Sequence, residues 1–332
     1  MKTKMTGKIV LEYLKRFPKT PSVSLARKIY KENREVFTNV ETVRTRLRYY
    51  RGISGIKNFK KLEKKDFVIK RNSLNPYNLP RTYAQKAKVV NLPIECNNVL
   101  LISDLHIPFH DIKALSVALK YGKEQNVNCI FINGDLLDFF MISKFVRFKP
   151  WISVQEELEL TREFLGVLNE EFPDVPIYFL IGNHDQRLET YLATKAPELL
   201  DVPEFKLEDL LKGFNMRVLD DDVLVKMGKL SVTHGHKLLR GFFSPVNPAR
   251  GTFLRAKAST IIGHLHKVST HTETTITGKT IACYSMGCLC ELNPRYAPLA
   301  NNFTHGFTHV RFEKSGNFTV KNIQILDGQI VN

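Results

Sequence analysis

No apolar stretch of the sequence approaches the ~20 residues needed to cross a bilayer, so a helical membrane span is not expected. Near the start, Ile9, Val10, Leu11 and Leu14 are interrupted by Glu12, Lys15 and Arg16, which leaves the segment too polar for a secretory signal core. A cytoplasmic location and no membrane partner are the resulting expectations. Cysteine is scarce as well. The five residues, Cys96, Cys129, Cys283, Cys288 and Cys290, are odd in number and spaced neither as a disulfide framework nor as a four-thiolate zinc site. Cys288 and Cys290 lack a second pair to complete four ligands, so buried free thiols are expected. No internal repeat is visible. Acidic residues are depleted in one place only: residues 1–90 hold 24 Lys or Arg against 6 Asp or Glu, a net of +18, and the remainder is close to neutral.

What is present divides the chain. A length of 332 residues suits one large domain with a small one appended. The basic segment predicts three short helices. The first spans Lys4 to Phe17, with Ile9, Val10, Leu14 and Phe17 at helical spacing, and it ends at Pro18 and Pro21. Ser22 or Ser24 would cap a second helix through Leu25, Ala26, Ile29 and Tyr30. Asn39 would cap a third, with Val43, Leu47 and Tyr50 on its inner face, Arg44, Arg46, Arg48 and Arg51 opposite, and Gly52 as its stop. Three compact helices ending in an arginine-rich one resemble a helix-turn-helix module, with nucleic acid, DNA or RNA, as the partner. A basic solvated cap is the plainer alternative. The expected boundaries are a helical module over 1–53, a basic linker over 54–95 (Lys57, Lys60, Lys61, Lys64, Lys65, Pro76, Pro80) and a catalytic domain over 96–332.

From residue 98 the pattern becomes α/β. Apolar runs at 99–102, 130–132 and 177–181 alternate with helical stretches at 111–124 and 153–171, the second opening on the capping-box pair Ser153 and Glu156. Residues 260–327, rich in Thr, Val, Ile and Phe, read mostly as strand. Five polar clusters each follow directly on an apolar run. They are Asp104-Leu-His106, Gly134-Asp135-Leu-Leu-Asp138, Gly182-Asn183-His184-Asp185, His234-Gly235-His236 and Gly263-His264-Leu-His266. In an α/β sheet the carboxyl ends of the strands share one edge, where ligands bind, so residues 160 apart can converge there. Any one cluster could be a turn. All five at strand ends point to a shared site. Carboxylate, amide oxygen and imidazole without thiolate suit Mn²⁺, Fe or Zn²⁺, and two such ions can activate a water and neutralise a phosphate together.

The series DxH, GDxxD, GNHD, HGH and GHxH resembles the calcineurin-like metallophosphoesterases over roughly residues 98–310. The resemblance implies a four-layer α/β sandwich of two mixed sheets with flanking helices. It implies two divalent ions, Mn²⁺ first, with Fe or Zn as alternatives. Asp104, His106 and His266 would hold one, Asn183, His234 and His264 the second, and Asp135 would bridge them. In-line attack on phosphorus by a hydroxide held between the metals would follow. His184, paired with Asp138, would protonate or stabilise the departing oxygen. Asp185 and His236 fall at supporting positions. His110, His271, His305 and His309 have no comparable context, although His305 could reach the site.

The sequence departs from the pattern at one position. Protein Ser/Thr phosphatases of this kind carry an arginine directly after the second Asp of GDxxD, where this chain has Phe139. Arg187 is either a replacement phosphate clamp or an ordinary surface arginine. Phe139, Phe140, Phe145 and Trp151 either line the substrate side or belong to the core. The leading expectation is hydrolysis of a phosphodiester in nucleic acid. The alternatives are a phosphatase or phosphodiesterase for a small nucleotide or phosphoprotein, and a nucleic-acid-binding regulator with a scaffold phosphoesterase domain.

Overall fold

The computed structural model describes residues 2–55, 62, 64–69, 75, 79, 80, 82–84, 88–144, 152–240, 246–294, 299 and 301–331. Lys57, Lys60, Lys61, Pro76, Phe145 and Trp151 lie outside the described residues. The chain forms two compact units, Met1–Gln85 and Lys86–Asn332. Among the described residues, no helix is long and apolar enough to cross a membrane.

The first unit is a three-helix cluster: α1 (Lys2–Arg16), α2 (Ser22–Glu32) and α3 (Val40–Tyr50). Val10, Leu14, Leu25, Ala26, Ile29, Phe37, Val43 and Leu47 form its core, as the helical spacing requires. The Asn39 side chain caps α3 by accepting from Thr42 N at 2.8 Å. Gly52 follows with φ +71, the left-handed stop that glycine adopts without cost. Three details differ from the sequence reading. Pro21 precedes α2 and no side chain caps it; Ser22 is instead the first helical residue, and its Oγ accepts from Arg51 at 2.8 Å.

Arg51 is the second difference. It is buried, and its guanidinium also donates to the carbonyls of Pro18 and Thr20 at 3.1 and 2.5 Å, so it closes the α1–α2 loop and presents nothing to a partner. Nor do the remaining arginines share one face. Arg44 and Arg46, two residues apart on a helix, point to opposite flanks of α3; both are half-buried, and Arg44 pairs with Glu41 at 3.1 Å. Of the three, only Arg48 is exposed. The third difference is the expected linker. Phe67 packs into the three-helix core and Ile69 N donates to Arg51 O at 3.0 Å, whereas residues 88–91 are already strand in the second unit.

The second unit is a sandwich of two mixed sheets. One has seven strands in the order β13-β12-β11-β2-β3-β4-β5, the other six in the order β1-β6-β7-β8-β10-β9. In the first, β2 (Asn98–Ile102), β3 (Cys129–Asn133), β4 (Ile177–Leu180) and β5 (Met216–Leu219) run parallel. Strands β11 (His305–Phe312), β12 (Phe318–Leu326) and β13 (Gln329–Val331) extend it antiparallel. The second sheet contains β1 (Lys88–Asn91), β6 (Val223–Met227), β7 (Leu230–Val232), β8 (Thr260–Ile262), β9 (Ser269–Thr274) and β10 (Thr280–Ser285).

The unbroken apolar runs are explained by burial on both faces. Leu100, Ile102, Ile130, Ile132 and Phe179 pack under α4 (Ile112–Glu124) and α5 (Val154–Glu171). Their alternating neighbours Val99, Leu101, Phe131 and Tyr178 meet Val225, Val232 and Ile261 of the other sheet. Helix α5 carries the full capping box between Ser153 and Glu156. Helix α6 (Arg187–Lys195) starts directly after the fourth strand's polar loop, and α7 (Pro248–Ala256) packs on the outer face of β8, β9 and β10. All five cysteines are buried and free.

Candidate metal centre

Each donor sits in the loop that leaves a strand, and the loops are sharply turned. Asp104, His106, Asp135, His264 and His266 all have positive φ, between 48 and 66. Such left-handed backbone is costly for residues with a Cβ and persists where surrounding contacts enforce it. Here the contacts run between loops: Asp104 N donates to Gly134 O, His106 N to Asp135 O and Gly263 N to His234 O. Two glycines make room for the approach. A Cβ on Gly182 would lie 2.3 Å from Asp135 Oδ1, and one on Gly263 would lie 2.1 Å from Ser103 Oγ.

The seven expected donors converge. His266 Nε2 lies 3.2 Å from Asp104 Oδ1 and 3.2 Å from His106 Nε2. Asp135 Oδ2 lies 3.7 Å from His106 Nε2 on one side and 3.2 Å from His234 Nε2 on the other. Asn183 Oδ1 is 3.2 Å from His234 Nε2, and the His264 ring centre is 5.3 Å from that of His234. Asp135, His234 and His264 have ligand atoms all within 4.8 Å of one another, as do His106, Asp135 and His184, and His106, His266 and Cys290. The backbone N–H of His264 donates to both oxygens of Asp104 at 3.1 and 3.0 Å.

The donor set fits divalent cations on a physical test. Asp104 and Asp135 are carboxylates with essentially no solvent exposure, and buried anions require countercharge. Lone-pair atoms of these groups face one another across an interior, whereas the outer ring nitrogens are engaged elsewhere. His234 Nδ1 donates to Asn133 O at 2.7 Å and His106 Nδ1 to Asp138 Oδ1 at 3.0 Å, which leaves both Nε2 atoms to bind metal. Without a metal, protons take its place. Burial would lower His234, but the Asp135 carboxylate prevails and raises it to about 9. Burial would raise Asp104, yet the neighbouring His266 holds it down at about 2. Burial and the charge of His234 push His264 down to about 4.

Around this centre the supporting groups are placed as follows. Asp138 Oδ1 lies 2.8 Å from His184 Nδ1; burial opposes its ionisation, but the bonds from His106 and His184 hold its carboxyl well below the usual range. Arg187 donates to Asp138 O at 2.6 Å and to Asp138 Oδ2 at 3.2 Å, and its second terminal nitrogen meets His184 Nε2 at 3.0 Å. It is therefore no ordinary surface arginine. Asp185 accepts from the backbone N–H of Asp135, Leu137 and Gly182 at 2.8, 3.0 and 2.8 Å, and so pins two donor loops together. His236 packs its ring 5.4 Å from that of His234 and 6.1 Å from that of His264, and its Nε2 lies 3.5 Å from Asp221. His305 donates to Cys290 O at 2.9 Å, His271 pairs with Glu273, and His309 meets Asn98 and Tyr121. His110 is bridged to Cys290 through the backbone. Phe139 is fully buried, in the core that packs beneath the helices.

Three contributors were not visible in the sequence. Ser103 Oγ donates to Asp104 Oδ2 at 2.6 Å, the main-chain carbonyl of Asn133 orients His234, and Cys290 Sγ lies 3.9 Å from His266 Nδ1. Ser103 and Asn133 are the residues just before the first and second clusters. Position at a strand end is the only signal either carries.

Comparison with known proteins decides the family. Residues 98–281 match the Calcineurin-like phosphoesterase family. The chain belongs to it. It is accordingly a metallophosphoesterase, a metal-dependent hydrolase of phosphoric ester bonds, and the catalytic unit holds the whole matched span. Over 178 residues it is 32% identical to the Gene 54 protein of Mycobacterium phage L5 and 33% identical to that of phage D29, covering 51% of this chain and 69% of each relative. Among solved structures, vacuolar protein sorting 29 from Cryptosporidium parvum is similar at 17% identity and TM-score 0.39, over 71% of this chain and 94% of that one. The E. coli phosphoesterase YfcE is similar at 14% identity and TM-score 0.37, over 71% and 97%.

Proposed function

We propose that this metallophosphoesterase is a phosphodiesterase that cleaves nucleic acid at a dinuclear centre. The observation that carries the reading is Asp135, whose Oδ2 faces imidazoles of both donor groups at 3.7 and 3.2 Å. Asp104, His106, Asp135 and His266 would hold one ion; Asp135, Asn183, His234 and His264 would hold the other. Mn²⁺, Fe or Zn²⁺ all suit these donors. Ions bound there would neutralise the phosphate and lower the pKa of water.

The chain's own groups do the rest. Asp138 fixes the His184 ring through Nδ1, which leaves Nε2 as the nitrogen for the leaving oxygen. In the structure Nε2 accepts from Arg187. A bound phosphate would draw the guanidinium onto itself in bidentate fashion, and His184 would then hold a proton at the leaving oxygen. Arg187 thus takes the part of the clamp that Phe139 cannot play.

Nucleic acid is favoured by the basic first unit, where a net of +18 over residues 1–90 exceeds what solubility needs. A helix-turn-helix mode would use α3, with Arg44, Arg46 and Arg48 as phosphate contacts and Arg51 as a brace. The test is a substrate panel assayed with Mn²⁺: bis-p-nitrophenyl phosphate, p-nitrophenyl phosphate, nucleotides, and DNA and RNA oligonucleotides. Diester and oligonucleotide cleavage, lost in Asp135→Asn, supports the reading; exclusive monoester hydrolysis overturns it in favour of a phosphatase. In the full chain, replacing Arg44, Arg46 and Arg48 together by alanine should weaken nucleic-acid binding and flatten its salt dependence. Unchanged binding would remove the role of α3.

A further inference from the structure

We infer that the flank of α6 that lines a cleft beside the metal centre is a track for a single polynucleotide strand leading away from it. The inference rests on the proposed nucleic-acid reading and adds what that reading lacks, the conformation of the substrate and the residues that select it. A cleft of about 620 Å³ opens beside Asn183 and His184 and runs along α6, with Lys144 also in its lining.

Arg187, Tyr191 and Lys195 occupy positions i, i+4 and i+8 of the helix and all line this cleft. Residues four apart lie on one stripe and about 6 Å apart along the axis, a step on the scale of one nucleotide in an extended strand. The row begins at His184, which Arg187 touches at 3.0 Å, so under the proposed mechanism its first member would meet the scissile phosphate. Its second member is a tyrosine 43% exposed, a large aromatic left in solvent in the same cleft. Its third is an exposed lysine. Over about 12 Å, two such steps, cation, aromatic, cation matches a phosphate at each end with the base of the nucleotide between them stacked on the aromatic ring. No acidic side chain is among the described residues lining the cleft. Glu189, the acid of α6, lies two residues from Arg187 and so on a different side of the helix.

A duplex fits this row poorly, because its bases are stacked inside and cannot reach a tyrosine on a convex helix surface. A mononucleotide would use only Arg187. The track therefore predicts a preference for single strands that resides in Tyr191 and Lys195.

The test uses the full chain with Mn²⁺ and four substrates: single-stranded DNA and RNA 12-mers, a duplex of the same sequence, and bis-p-nitrophenyl phosphate. The quantity read is kcat/KM on each oligonucleotide divided by kcat/KM on the small diester. Tyr191→Ala and Lys195→Ala should each lower that ratio for single strands about tenfold, chiefly through KM, whereas Tyr191→Phe, which keeps the stacking face, should hold it near the parent. Glu189→Ala should leave it unmoved. The DNA and RNA arms show which strand the track accepts. Should the parent cleave single strands while Tyr191→Ala and Lys195→Ala shift the ratio no more than Glu189→Ala, the track is wrong and the nuclease reading survives. Equal cleavage of duplex and single strand would also overturn the track. If the parent hydrolyses the small diester and no polynucleotide, the nucleic-acid reading itself fails and the track with it.

Discussion

Asp138 Oδ1 lies 2.8 Å from Nδ1 of His184, and the same oxygen lies 3.0 Å from Nδ1 of His106. One carboxylate therefore orients both the proposed proton donor and a proposed metal ligand. This sharing separates two kinds of defect that are usually confounded.

Asp138→Asn should impair both functions, lowering kcat at saturating Mn²⁺ and weakening metal affinity by about 10–100-fold. His184→Ala should lower kcat by about 100-fold or more and leave metal affinity close to the parent. Steady-state kinetics combined with calorimetric metal titration reads both. Equal metal affinity in Asp138→Asn and the parent would break the proposed link through His106.

Metal binding should release protons. Asp135 raises the metal-free His234 to about 9, so near neutral pH an imidazole proton must leave before Nε2 can bind a cation. Apparent affinity should therefore climb as pH rises toward 9. Calorimetry in two buffers of different ionisation enthalpy counts the protons, and a pH-independent affinity without proton release would contradict the assignment. Chelation should abolish activity, with recovery on adding Mn²⁺.

Gly182→Ala should be far more damaging than a surface Gly→Ala change. The added Cβ would meet Asp135 Oδ1 at 2.3 Å and Asp135 N, which is backbone, at 2.5 Å, so a loop must move. Overpacking of this kind costs about 1–3 kcal/mol, and the displaced Asp135 should lose its hold on both ions. Gly278→Ala is the control, since no atom lies within 4 Å of its Cβ position; its φ of +78 leaves only the backbone strain. Denaturation curves and metal titration of the two variants make the comparison.

Glu157 should make stability pH-dependent in the unusual direction. It is fully buried on α5, with one oxygen taking the Phe140 N–H at 2.9 Å and the other lacking a hydrogen-bond partner among the described residues. Burial pushes its carboxyl up to about 8 from an ordinary value of 4.5. A group raised in the folded state contributes stability that is complete below the unfolded pKa and is lost as pH rises through the folded one. The parent should thus lose ground to Glu157→Gln between pH 5 and pH 8.5, by several degrees in Tm. A Tm difference that stays constant over that window would show that the carboxyl does not titrate as expected.

Much of the catalytic unit was legible because its chemistry is written at strand ends. Each donor cluster abuts an apolar run, and burial on two faces makes those runs unbroken, so β2, β3, β4 and β8 and their loops could be placed from pattern alone. Capping chemistry located α3 and α5 in the same way. What escaped the sequence depends on contacts made by the main chain or by distant loops. Arg51 follows an arginine-rich stripe, yet the carbonyls of Pro18 and Thr20 draw it inward. Phe67 heads the short Phe-Val-Ile run of a lysine-rich stretch, where no periodicity announces that it folds back. Glu157 lies next to a capping box, where nothing in the sequence signals that it is interior and takes the Phe140 N–H. Arg187 had two readings until its bonds to Asp138 and His184 were seen.

The bond from His264 N–H to Asp104 spans the sandwich, since His264 leaves β8 of the six-stranded sheet and Asp104 leaves β2 of the seven-stranded one. The bond from His234 to Asn133 O crosses the same seam. The two sheets of the second unit are thus clasped at the reactive centre itself rather than beside it. A slip of one sheet against the other, by even a fraction of a residue, would be felt first as a mismatch in cation geometry. Occupancy by metal should in turn act as a rivet, so that the loaded enzyme resists shear and unfolding more than its metal-free form.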